Sequence, residues 1–325
     1  MSVISGRQIT LEKKPFNFSA WSVYLVFVLL LVVFSIISPS FLTFSNIYSV
    51  ILNGGPLILI TCAITYALLT GLIDLSVAAV GYASGSLCGI LLKIFNAPIW
   101  VAFLGGLVLA LVIGGINSLL VVKFKMNVVI TTLSMMLVIR GLGKIITRDQ
   151  TILMGNNIAV IRRARIGFLG GFPALLFFII AVVMVSQLVL HYTRFGRYII
   201  AVGCNEKAAK NIGINVSKIK TLVLLTTSGI CGIAGVIWVI TLGAVVTRGL
   251  NSYEFLAIAS AVLGGTSLFG GKGSFFPGSL IGVLILLFIA NGLTIVGVSP
   301  YVMPLIRGVI IFIAMYADSL RLRFE

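Results

Sequence analysis

The stretch Trp21 to Ile37, WSVYLVFVLLLVVFSII, runs for seventeen residues without a charge, and Ala97 to Val122 does the same for twenty-six. A helix needs ~20 predominantly apolar residues to cross the hydrocarbon core of a bilayer. A barrel strand would instead show ~10 residues of alternating polarity, and these runs do not alternate. Backbone inside lipid must satisfy its own hydrogen bonds, so unbroken apolar runs of this length specify helices. The composition agrees: 60% of the 325 residues are hydrophobic and 9% are charged, against roughly a quarter charged in soluble domains. The expected fold is an all-α integral membrane protein.

The pattern predicts ten spans in a single transmembrane domain covering residues 1–325, at 21–38, 52–71, 75–92, 97–122, 128–146, 172–190, 221–242, 254–269, 275–296 and 301–317. Gly54-Gly55, Gly264-Gly265 and Gly270-Gly271 interrupt or border the second, eighth and ninth spans, so some of these helices are expected to be kinked or to cross only halfway. Arg7, Lys13 and Lys14 precede the first apolar run, as in a signal peptide. No small-x-small cleavage site follows Ile37, so the run is expected to stay as the first span.

Orientation follows from the basic residues. With the N-terminus inside, fourteen of the 23 lysines and arginines fall on inner segments and six on outer ones, which predicts both termini in the cytoplasm. The outer segment 147–171, with its RRAR at 162–165, runs against the bias. The net charge of +16 is therefore read as topology: no basic domain lies outside the spans on which a nucleic acid could rest. Cys62, Cys88, Cys204 and Cys231 have no metal-binding or redox spacing and are read as small core residues. His191, the sole histidine, lacks a second ligand, so no metal site is expected.

The longest inner segment, 191–220, is polar and basic. Asn205 is suited to cap a helix start, Glu206 and Lys210 sit where the helix dipole favours each charge, and Gly213 can end the helix in the left-handed conformation. A helix of about two turns is not stable alone in water. It must pack against its own bundle or against a partner, either as a connector lying on the membrane surface or as a docking knob.

Other residues carry two readings. Asp74 is either a coupling carboxylate or, followed by Leu75-Ser76-Val77, the cap of an exposed helix start, and the cap is preferred. GGTSLFGGKGS at 264–274 fails as a phosphate loop, because glycine is missing at Thr266 and Ser or Thr at Gly273. Arg140 and Lys144, four apart on the fifth span, and Arg307 on the last, either pair structurally or reach an interface; structural pairing is preferred. Glu254 and Arg248 begin the eighth span on the outer side, where a docking protein would meet them, and Asn291 is a polar candidate site residue within the ninth span. GSLCG at 85–89 recurs as GSLIG at 278–282, a match short enough for close helix packing alone to explain.

Three stretches resemble one family in the right order. FGRYIIAVGCNEKAAKNIGINVSKIK at 195–220 resembles the coupling segment of the permease subunits of bacterial ABC importers for monosaccharides, of the ribose and xylose type. GLIDLSVAAVGYASG at 71–85 resembles that family's GGIDLSVGS-type motif, and AIASAVLGGTSLFGGKGSFFPGSLIGVL at 257–284 its late glycine-rich motif. The match continues through 291–318 and so covers nearly the whole chain. It departs at Leu72, where the family usually has glycine, and at Ala78-Ala79, where it usually has Gly-Ser.

The resemblance implies a non-catalytic subunit of the bacterial inner membrane, working beside an identical or paralogous permease chain. A periplasmic or lipid-anchored binding protein would deliver the sugar. A separate cytoplasmic ATPase would hold the ATP and Mg, with no cofactor on this chain. Gly196, Arg197, Gly203, Asn205, Ala208, Ala209, Gly213 and Ile214 would form the coupling element, and Asp74, Ser76, Gly264, Gly265, Gly270 and Gly271 the two motif turns. The rival expectations are a branched-chain amino acid ABC permease, which shares the broader architecture, a secondary transporter, and a channel.

Overall fold

The computed structural model describes residues 18–154, 174–299, 301–306, 308, 309 and 312. Its helices are α1 Phe18–Ile37, α2 Phe44–Leu69, α3 Val77–Lys93, α4 Ile99–Ser118 with a π-helical turn Leu119–Lys123, α5 Val128–Thr147 and α6 Ala174–Tyr192. The chain continues through α7 Arg194–Cys204, α8 Glu206–Asn211, α9 Val216–Leu242, α10 Tyr253–Leu263, a kinked turn Phe275–Ser279 and α11 Leu280–Ile295. Two short strands, β1 Ile152–Leu153 and β2 Ala244–Val245, pair antiparallel.

Six of these helices are long and apolar enough to cross a membrane, and three shorter apolar ones, including α3 and α10, accompany them. The expected all-α membrane class agrees with this, while the expected count of ten is not reached by the six long and three short apolar helices among the described residues. Eight of the seventeen residues of the tenth span, 301–317, lie outside the described residues, Arg307 among them, as does the RRAR segment.

Burial sorts the helices into centre and periphery. α2 and α9 are each 72% buried across their apolar window, whereas α5 is 17% and α6 22% buried. α9 packs against α3, α2 and α4, while α10 and α11 pack against α2 and each other. The intimacy of α3 and α9 comes from their glycines. Gly81, Gly85 and Gly89 recur every four residues on one face of α3, and a Cβ on Gly235 of α9 would run into the Gly81 carbonyl. Lipid gives no hydrophobic drive for helix pairing, so backbone approach at small residues supplies the contact. The second copy of the short recurrence does the same: a Cβ on Gly282 of α11 would strike the Ser260 carbonyl of α10.

The glycine-based expectations divide. α10 stops at Leu263 after 11 residues, about 17 Å of rise, which is shorter than a full span needs. The ninth span is kinked at its start, where Phe276 is extended. The second is not broken: α2 runs through Gly54, Gly55 and Pro56 for 26 residues, starting eight earlier than expected. Its glycine pair receives Leu287 and Ile179 from neighbouring helices. Close packing, not a bend, is what those glycines serve.

Candidate functional site

The segment 191–220 is built of two helices, where the sequence pattern marked only the second. α7 is capped by Thr193, whose Oγ1 accepts from Gly196 N–H at 3.3 Å, and it buries Gly196, Ile199 and Val202. Arg194 and Arg197 stay exposed on its other side. The polar residues at both ends of 191–220 mask this amphipathic stripe in a plain reading of charge. α8 starts and stops as expected. Asn205 Oδ1 accepts from Ala208 N–H at 3.0 Å. At the far end Gly213 N–H reaches Lys210 O at 3.0 Å and Ile214 N–H reaches Ala209 O at 3.1 Å, with Gly213 at φ +85°. This pair of bonds closes the end of the helix around its left-handed residue.

The two alanines of α8 face different ways. Ala209 is buried against the bundle, and Ala208 is exposed beside Lys207 and Lys210. Lys220 of α9 reaches back to Glu206 at 2.7 Å and braces the start of α8. Ile214 lines a shallow cavity of about 260 Å³ with Phe195, Tyr198 and Lys218.

At the junction of α7 and α8 three segments meet backbone to backbone. A Cβ on Gly203 would run into the carbonyl of Leu69, the last residue of α2, and would stand 2.6 Å from Gly271 N. Gly271 N–H itself donates to Leu69 O at 2.9 Å. A Cβ on Gly270 would stand 2.8 Å from Gly203 O and 3.0 Å from Gly71 N. Cys204 Sγ lies 3.6 Å from Gly271 O. The three motif stretches thus converge on one joint: the end of the amphipathic helix, the turn after α2, and the turn 264–274 after α10. Gly264 packs on Gly278 across the same turn, and Gly265, at φ +88°, lets it reverse.

Beside the joint, Asp74 is 1% exposed, which corrects the expected cap at an exposed helix start. Ser76 is the residue at the head of α3, and Asp74 holds it: Asp74 Oδ1 accepts from Ser76 N–H at 2.8 Å and from Ser76 Oγ–H at 2.6 Å. Asn117 of α4 donates from Nδ2 to Ser76 Oγ at 2.9 Å. Leu72, Ala78 and Ala79, the departures from the motif, are all buried in the core, so the side chains that Leu72 and Ala78 add over glycine are absorbed by packing.

The opposite end holds a buried ion pair. Arg140 of α5 lies 3.9 Å from Glu254 of α10, donates to the carbonyls of Gly249 and Leu250, the latter at 2.9 Å, and stands 5.3 Å from the Tyr82 ring centroid. Structural pairing is therefore right for Arg140, while Lys144 on the same helix is exposed. Glu254, 3% exposed, is turned inward and does not present itself to a docking protein. Asn291 forms a reciprocal amide pair with Asn46 at 2.9 and 3.0 Å, bridging α11 and α2. Cys204 is exposed, unlike the other three cysteines. Among the described residues no group of acidic, histidine and cysteine side chains is set to hold a metal.

A bundle of long and short apolar helices, with the α7–α8 pair packed on two of its turns at one end, has the form of a multi-pass membrane permease. The chain belongs to the permease family described as branched-chain amino acid transport system / permease component, whose model matches residues 46–315. It is 36% identical over 293 residues to the ribose import permease protein of Escherichia coli K12, covering 89% of this chain and 90% of that protein. It is 35% identical over 320 residues to the ribose import permease protein of Bacillus subtilis, covering 96% and 97%. To the D-allose transport system permease protein of E. coli K12 it is 35% identical over 315 residues, covering 95% of each. No solved structure matches the chain.

Proposed function

We propose that this chain is the membrane permease subunit of an ATP-driven importer of a monosaccharide, set in the bacterial inner membrane with both termini in the cytoplasm. Relatives that align over nearly its whole length carry ribose and allose permease names, which favours a sugar over the branched-chain amino acids of the family's description. The observation that carries the mechanism is α8: capped at both ends, buried by Ala209, and exposing Ala208 between two lysines. Such a helix is held firmly on one side and offers a small, basic-rimmed face on the other. A cytoplasmic ATPase binds that face, carries the ATP and Mg, and moves α8 when its nucleotide sites close. Gly196, Arg197, Gly203, Asn205, Ala208, Ala209, Gly213 and Ile214 form the coupling element.

On the opposite side of the membrane a binding protein delivers the sugar, and a second permease chain completes the route. The bundle supplies a gate and a path, with hydrolysis on the partner. Purification in mild detergent from the native cell tests this reading. A stoichiometric ATPase whose hydrolysis rises with a sugar-loaded binding protein supports it. A chain that purifies alone and moves solute into liposomes without ATP overturns it in favour of a channel or secondary carrier.

A further inference from the structure

Asp74 lies in the turn between α2 and α3, outside both helices, and its carboxyl is only half satisfied. Oδ1 takes both donors of Ser76, and Oδ2 is buried without a hydrogen-bond partner. Among the described residues it has no salt-bridge partner. The elements around it offer neutral groups: Asn117 from α4, the Thr132 hydroxyl of α5, which accepts from Leu75 N–H at 3.1 Å, and the Cys231 thiol of α9, the titratable group that faces it. An ionised carboxylate buried without a counter-charge loses its hydration with nothing in return, and such groups neutralise instead.

A second orphan lies in the same network. Ser76 Oγ spends its proton on Asp74 and must therefore accept from Asn117 Nδ2, which leaves Asn117 Oδ1 buried and without a donor. Two buried acceptor oxygens, joined through one serine, are each without a hydrogen-bond donor.

We propose that Asp74 binds a proton on Oδ2 and, as a neutral acid, acts as a positioning residue that ties the turn beneath the Gly203–Gly271 joint to α4 through Ser76 and Asn117. Burial pushes the Asp74 carboxyl above its ordinary value, and the Ser76 bonds oppose that only in part. The chain of bonds Asp74–Ser76–Asn117 fixes the head of α3 to α4, on the same α2–α3 turn whose Gly71 N lies 3.0 Å from where a Cβ on Gly270 would stand. The role in transport rests on the permease reading, and the proton does not.

The sign of the pH dependence follows. A folded-state pKa above the unfolded one means that the native chain holds the extra proton, so the stability Asp74 provides is full below the ordinary carboxylate range and is lost as pH rises through its raised value. Purified protein gives the test by two readouts that need neither ATPase nor sugar. Infrared difference spectra of wild type against Asp74→Asn at neutral pH should show a protonated-carboxyl C=O band that the variant lacks. The thermal midpoint of wild type should fall at alkaline pH by more than that of Asp74→Asn, and Asp74→Asn should keep the neutral-pH midpoint that Asp74→Ala loses, because asparagine retains the Oδ1 acceptor.

A wild type with only ionised-carboxylate bands at this position overturns the proposal. So does a sodium-dependent rise in the midpoint that Asp74→Asn abolishes, which would put a metal cation on Oδ2. If Asp74→Ala does not fold, the infrared comparison still decides.

Discussion

Arg140 has a long cationic side chain in a helix whose neighbours are nearly all apolar, and its placement shows what one residue must find to be tolerated there. It finds two carbonyls, a carboxylate and an aromatic face. Deleting it would leave Glu254 buried without its counter-charge, a change that costs about 3–5 kcal/mol in buried pairs. Arg140→Ala should therefore lower the thermal midpoint of the purified chain sharply, and Arg140→Ala combined with Glu254→Gln should recover part of the loss. Equal midpoints for the single and double variants would mean that the pair carries no coupling. Gly203 is constrained by space: its missing Cβ is where the Leu69 carbonyl lies. Gly203→Val should force α7 off the end of α2 and uncouple ATP hydrolysis from sugar uptake, read as futile hydrolysis in reconstituted complexes; tight coupling in that variant would remove the joint from the mechanism.

Elements add what single residues do not show. α8 is six residues long, below the length at which a helix persists alone in water, and it exists because caps, the Lys220–Glu206 bridge and the buried Ala209 hold it. Its two alanines make a paired prediction. Ala208→Trp changes only the exposed face, so the protein should insert with its wild-type midpoint while transport is abolished. Ala209→Trp has to displace the bundle and should lower the midpoint as well. Wild-type uptake in Ala208→Trp would remove the coupling role of α8. On the α3–α9 seam, Gly85→Leu should separate two central helices and leave the chain protease-sensitive, since a side chain there meets the Gly235 backbone; normal folding would show that the seam has slack.

For the whole molecule, the ends of the helices sort into two sets. The joint, α7, α8 and the Asp74 turn gather at one end, and the β1–β2 pair and the Arg140 clasp at the other, as helices that alternate in direction require. Cys204 makes this testable without engineering, because it is the one exposed cysteine of the four. A membrane-impermeant maleimide should label the native protein in inside-out vesicles and leave it unlabelled in intact cells; the opposite pattern would invert the orientation. The membrane-helical class and the caps of α8 were legible in the residues alone, because apolar run length and cap chemistry are local properties. The sequence pattern misread Gly54-Gly55 as a break and Asp74 as exposed, and it missed α7. Each of those depends on what packs against the residue from elsewhere in the chain. That the three motif stretches form one joint emerges from the packed chain alone, since an absent Cβ matters solely through the backbone that occupies its space.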